Sequence, residues 1–130
     1  MKRILLLVIA VASLALCAVA SAAPRFVGFA AHSVSGGQHF SLSHDFQVGS
    51  ALDLIFRDNE RAKTDYKVCW APTYGSDYQC WRRRTGRPGQ TSDIHLAAPN
   101  NAGQYNLTWT VRGRVVARQW FYNGCDACTD

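Results

Sequence analysis

Between Gly103 and Asn123 the chain alternates so cleanly that few folds accommodate it. Tyr105, Leu107, Trp109 and Val111 occupy one parity, and Asn106, Thr108, Thr110 and Arg112 the other. Successive side chains of a strand point to opposite faces, so this is a strand with one buried face. Arg112-Gly113 follows as a tight-turn signal, because glycine accepts the positive φ that a hairpin requires. Val115 to Asn123 is again rich in β-branched and aromatic residues, which predicts a long closing β-hairpin. Its register has two solutions. A two-residue loop sets Arg114, Val116, Arg118 and Trp120 beside the apolar face of the partner strand. A three-residue loop sets Val115, Ala117, Gln119 and Phe121 there, and it is preferred because it buries fewer charges.

The rest of the chain has the same character. Short β-type runs are separated by Gly, Pro, Asn and Ser turns, with no helical period and no repeat. Arg25 to Ala30 reads as an edge strand, and Ser35-Gly36-Gly37 as a turn. His39 to Val48 reads as one strand with Phe40, Leu42, His44, Phe46 and Val48 on a single face. Ala51 to Arg57 follows with Leu52, Leu54 and Phe56 inward, then Asp65 to Ala71 with Tyr66, Val68 and Trp70 on one face. Ser92 to Ala97 is a short strand with Ile94 and Leu96 inward.

Ahead of these strands lies an N-terminal segment of another kind. Lys2 and Arg3 precede an apolar run from Ile4 to Val19, and Ala20-Ser21-Ala22 fits small-residue cleavage. The expectation is a signal peptide over 1–22, removed after Ala22, and a single domain over 23–130. Removing 22 of 130 residues leaves 108, enough for one modest core. No second apolar run follows, so no transmembrane segment is expected and the location is secreted or periplasmic. Full-length Lys+Arg is 14 against 9 acids; without Lys2 and Arg3 the balance is 12 to 9, or about +3. A charge so small favours an anionic partner without pointing to nucleic acid.

Cys17 leaves with the leader, and four cysteines remain: Cys69, Cys80, Cys125 and Cys128. An even count in a small exported chain implies disulfides, with three possible pairings. If Cys69 lies opposite Cys80, Val68 pairs with Trp81 and Trp70 with Gln79, and Tyr74-Gly75 falls at the centre of the turn. Both tryptophans then share one face and both cysteines the other, which predicts a cross-strand disulfide in a hairpin of Asp65–Ala71 and Tyr78–Arg83.

Ile94-His95-Leu96, followed by Ala102-Gly103-Gln104-Tyr105-Asn106-Leu107-Thr108-Trp109, resembles the E-strand, tyrosine corner and F-strand of the immunoglobulin-like sandwich. The resemblance runs over roughly Gly49 to Asn123. It implies an all-β antiparallel sandwich of about seven to eight strands. Tyr105 would be the corner tyrosine, bonding back to the backbone before it, and Trp70 the core tryptophan. The positions of the inter-sheet cysteines of antibody domains are taken by Leu54 and Leu107, which implies a plain apolar core. The closing hairpin is also similar to that of bacterial copper-carrier sandwiches. The expected mature start, Ala23-Pro24-Arg25, and the hairpin itself contain no His, so no copper site carries over.

Function is less specified than fold. Arg82, Arg83, Arg84 and Arg87 form a basic cluster with Lys67 facing Arg82; Arg57, Arg61 and Lys63 lie near. This set is the candidate site for an anionic protein, a lipid or an envelope polymer, set against the plainer reading of a charged, aggregation-resistant sheet edge. Tyr74, Tyr78 and the outward member of Trp109/Trp120 form a candidate aromatic surface. Cys125-Asp126-Ala127-Cys128 admits redox or metal chemistry, but no helix can follow it to activate a thiol, which favours a structural bridge. His39 and His44 have opposite parity on one strand, and His32 and His95 add no metal motif. His44-Asp45 lacks any nucleophile motif, so no catalytic residue, metal or cofactor is assigned. The leading expectation is a monomeric binding module. A small redox or metal-handling protein and a secreted toxin or inhibitor are the alternatives.

Overall fold

The computed structural model describes residues 23–33, 42–86 and 91–124. The expected leader over 1–22, the turn at Ser35-Gly36-Gly37, and His39, Arg87, Cys125 and Cys128 lie outside the described residues. Eight strands are formed: β1 (Phe26–His32), β2 (Asp45–Phe46), β3 (Ala51–Asp58), β4 (Asp65–Pro72), β5 (Gln79–Arg84), β6 (Ser92–Ala97), β7 (Gly103–Val111) and β8 (Arg114–Asn123). They build two sheets, in the orders β1-β3-β6 and β2-β8-β7-β4-β5. All pairings are antiparallel except that of β2 with β8.

The two sheets share one apolar core. Ala30, Leu52, Leu54, Phe56 and Ile94 enter it from the smaller sheet; Phe46, Tyr66, Val68, Trp70, Tyr105, Leu107, Trp109 and Phe121 enter from the larger. The alternation of β3, β4 and β7 thus has the predicted sense. Leu96 is half-buried against the same core. On β3 the opposite parity is buried as well, at Asp53 and Ile55, and Ser33 and His95 lie against the Asp53 carboxylate.

The first hairpin has the register expected from its cysteines: Val68 pairs with Trp81, Cys69 with Cys80 and Trp70 with Gln79. The two sulfurs are bonded at 2.08 Å. Trp70 and Trp81 meet edge to face at 4.7 Å on the core side. Gly75 takes a φ of 114° in the connection, which its lack of a Cβ permits. At the corner before β7, the Tyr105 hydroxyl donates to the Asn101 carbonyl at 2.9 Å.

Two expectations are corrected. His39 to Val48 does not form one strand with one face. Leu42 bridges Ala31 on the smaller sheet, whereas Asp45 and Phe46 pair with Tyr122 and Asn123 on the larger. The segment crosses between sheets, so among its described residues Phe46 is buried, while Leu42 and Val48 stay exposed. The closing hairpin uses both candidate registers in succession. Its tip is the two-residue loop, with Val111 opposite Arg114 and Thr110 opposite Val115. A bulge then inserts Val116, and from Trp109–Ala117 onward the pairs follow the three-residue register, through Leu107–Gln119 to Tyr105–Phe121. The type of turn is set by the glycine, and the bulge restores the phase that buries Phe121.

Candidate functional site

At one end of the molecule the start of β1, the β3–β4 loop, the start of β4, the end of β5 and the tip of the β7–β8 hairpin surround a cleft of about 1270 Å³. Antiparallel pairing brings these segments together, because each strand enters or leaves the sheet at this end. Lys67, Arg82 and Arg83 of the expected site line it. Lys63, Arg112 and Arg114 line it as well. None of these six makes an ion pair with a carboxylate among the described residues.

The expected cluster does not act as a unit. Lys67 and Arg82 are opposite one another, on the same side of the sheet as the disulfide. Arg83 has the parity of Trp81 and Tyr66, so it leaves the strand toward the core side at the open edge, and its Nη1 donates to the Arg82 carbonyl at 2.8 Å. Arg84 is the last residue of β5. Its Nε and Nη2 donate to both Asp65 oxygens at 2.6 and 2.8 Å, and this pair holds the Asp65 carboxyl below its usual range. Arg84 is therefore neutralised where its neighbours are not.

Arg25 lines the cleft in a different condition. It pairs with the buried carboxylate of Asp58 at 3.2 Å and with Glu60 at 3.1 Å, and its guanidinium sits 4.7 Å over the Phe26 ring. Burial pushes the Asp58 carboxyl up, but the bonds from Arg25, from Thr64 Oγ1 at 2.7 Å and from the Glu60 N–H at 3.0 Å outweigh it and hold the group low. Asp58 thereby fixes both the start of β1 and the β3–β4 loop at the cleft. Burial raises the Tyr66 hydroxyl pKa, opposed by its bond to Ser92 at 2.6 Å and by the charge of Arg83. Phe26, Val111 and Val116 are half-buried and give the same cleft an apolar component.

Arg112 and Arg114 were visible in the sequence, but their positions at a turn drew attention to backbone conformation rather than to charge. What joins them to Lys67 and Arg82 is the pairing of β7 with β4, which sets Lys67 opposite Thr110.

The other candidates are dispersed. Tyr74, Tyr78 and Trp120 are exposed, but Tyr78 sits against Cys69 and Trp120 lies on β8, with β4 and β7 between them. Trp109 is the buried member of its pair. His44 stacks on Trp120 at 4.4 Å and bonds its carbonyl; His32 meets Ser43 at 3.0 Å. A Ser-His-Asp grouping does occur, among residues far apart in the chain. Ser33 Oγ donates to Asp53 Oδ1 at 2.7 Å, and His95 Nδ1 lies 2.7 Å from the same oxygen and 3.0 Å from Ser33 Oγ. Both contacts fall on one ring nitrogen and the hydroxyl proton goes to the carboxylate, so this arrangement does not activate the serine. Among the described residues no three His, Cys, Asp or Glu side chains converge on a metal position, and no helix is long and apolar enough to cross a membrane.

No family model matches the chain, and no curated protein matches it.

Proposed function

We propose that this chain is an exported, disulfide-stabilised, monomeric module of the immunoglobulin-like sandwich type that binds an anionic partner in the basic cleft and carries out no catalytic step. The observation that carries the binding assignment is that Lys63, Lys67, Arg82, Arg83, Arg112 and Arg114 all line one cleft, Arg83 from the core side of the sheet and Lys67 and Arg82 from its other side, without carboxylate partners among the described residues. Like charges held together cost free energy in the free protein, and a bound anion relieves that cost. Arg84 leaves the proposed binding set because Asp65 already satisfies it.

The immunoglobulin-like reading is supported by the strand orders, by Trp70 buried 6.1 Å from the Tyr105 ring, and by the Tyr105–Asn101 bond that spans the corner. Export is supported by the basic start and apolar run before Ala23 and by the Cys69–Cys80 bond, which persists in oxidising compartments.

Retention on a sulfated matrix as a function of salt tests the binding site. The double variant Arg83→Glu/Arg114→Glu is expected to elute at much lower salt than Arg57→Glu/Arg118→Glu, which makes the same charge change outside the cleft. Equal elution of the two variants would show that net charge alone governs retention and would overturn the assignment of the cleft.

A further inference from the structure

We infer that the cleft receives the phosphorylated headgroup of an anionic lipid, with its apolar wall taking the adjoining part of the chain. This rests on the cleft being the anion-binding site and names the chemical class it takes.

The first observation is how the cations are arranged. They come from the β3–β4 loop (Lys63), β4 (Lys67), β5 (Arg82, Arg83) and the hairpin tip (Arg112, Arg114), and they line one open cleft. An extended polyanion is tracked by cations in a row along a groove. Cations gathered from four separate segments suit compact charge, and four of these six residues carry guanidinium groups, whose planar forks match phosphate oxygens two at a time.

The second observation is what lies between the cations. Phe26, Tyr66, Val111 and Val116 line the same cavity. Phe26, Val111 and Val116 touch the core yet remain partly exposed. Val116 is the bulge residue: with Ala117 it faces Trp109, so the irregularity in β8 puts an extra apolar side chain at this mouth. A soluble phosphate would leave that wall wet. An acyl or glyceryl segment covers it and gains the burial. Charge and apolar surface therefore coincide in one site, and an amphiphile with a phosphorylated head matches both.

The test uses the full chain with vesicles of phosphatidylcholine alone and of phosphatidylcholine containing phosphatidic acid, in flotation, with inositol hexakisphosphate as the soluble comparison. Folding of each variant is checked by thermal melting. Of the two vesicle types, binding is expected only to those containing phosphatidic acid, with inositol hexakisphosphate binding more weakly. Arg83→Glu/Arg114→Glu should weaken it by roughly tenfold or more. Val111→Ser should weaken vesicle binding by roughly fivefold and leave inositol hexakisphosphate binding unchanged. If inositol hexakisphosphate binds with high affinity, displaces the vesicles, and Val111→Ser changes nothing, the site takes soluble polyanions; the lipid assignment fails and the anion site stands. If neither vesicles nor inositol hexakisphosphate bind, or binding to phosphatidylcholine alone is equal, the lipid assignment and the anion site fail together.

Discussion

The indole of Trp109 lies against the backbone of Gly28 on the facing sheet, so close that a Cβ at position 28 would come within 2.8 Å of Cε2 and Cε3. Gly28 takes no positive φ; what it supplies is room. Trp109 is fully buried, and the sheet-to-sheet approach at this point is set by the missing side chain. Gly28→Ala is therefore expected to destabilise the fold by about 1–3 kcal/mol through overpacking. Urea unfolding measures it. Trp109→Phe in the same chain should recover part of the loss, since the two sites are in contact and their effects do not add. Additive losses in the double variant would mean that the ring and the glycine do not share the space.

The Cys69–Cys80 bond joins residues separated by 11 positions and ties β5 to the larger sheet. Closing so short a loop is worth about 2–3 kcal/mol in the chain-entropy view. Cys69→Ser/Cys80→Ser should lower the denaturant midpoint by a corresponding amount. Because β5 is an edge strand carrying Arg82 and Arg83, the same variant should also weaken retention on an anionic matrix more than its stability loss alone accounts for. Unchanged retention by the folded variant would separate the strand's position from the site.

Asp58 sets the direction of one pH dependence. Its carboxyl is held below the usual range in the folded chain, so as pH falls the unfolded chain takes up this proton first. Its contribution is complete above the ordinary carboxyl value and is lost as pH falls through the lower, folded value. Asp58→Asn should cost about 1–3 kcal/mol at neutral pH and flatten the acid limb of the stability curve. Asp93 runs the other way. Burial and the Asp53 charge raise its pKa, so the stability it contributes is full below the ordinary carboxyl value and is lost as pH rises through the raised one. Asp93→Asn should leave the acid limb intact and remove that loss, a contrast visible in midpoints measured across the acid range.

The features legible in the sequence are those carried by local pattern. Alternation fixed the inward faces of β3, β4 and β7, and setting the two cysteines opposite one another fixes the register of β4 with β5 and puts both tryptophans on one face. The corner at Tyr105 was visible because its bond spans only four residues. The remainder depends on contacts between distant segments. The crossing between Leu42 and Phe46 follows from a choice between two sheets, which apolar spacing over a single segment does not encode. The bulge at Val116 reconciles a turn preference with a burial preference that point to different registers. The cleft is the same kind of case. Lys67 and Arg82 were recognised as neighbours, but Arg112 and Arg114 join them only after β7 pairs with β4, and Arg84 leaves them only through its partner Asp65.

Arg112 connects strain to the site. It has a φ of 50° and Gly113 one of 76°, both in the left-handed region that a two-residue hairpin loop of this hand demands. Glycine meets that demand without penalty; arginine pays roughly 1 kcal/mol or more for its Cβ, whereas asparagine tolerates the conformation. A stability-optimised tip would read Asn-Gly. An arginine held there places a cation at the lip of the cleft, as strained residues at functional positions do. Arg112→Asn is therefore expected to raise stability by about 0.5–1 kcal/mol, seen as a higher melting temperature, and to weaken binding to an anionic matrix in the same preparation. A variant that gained stability and kept full retention would show that the strain at 112 serves nothing in the cleft. Loss of both would show that the Arg112 side chain supports the hairpin itself.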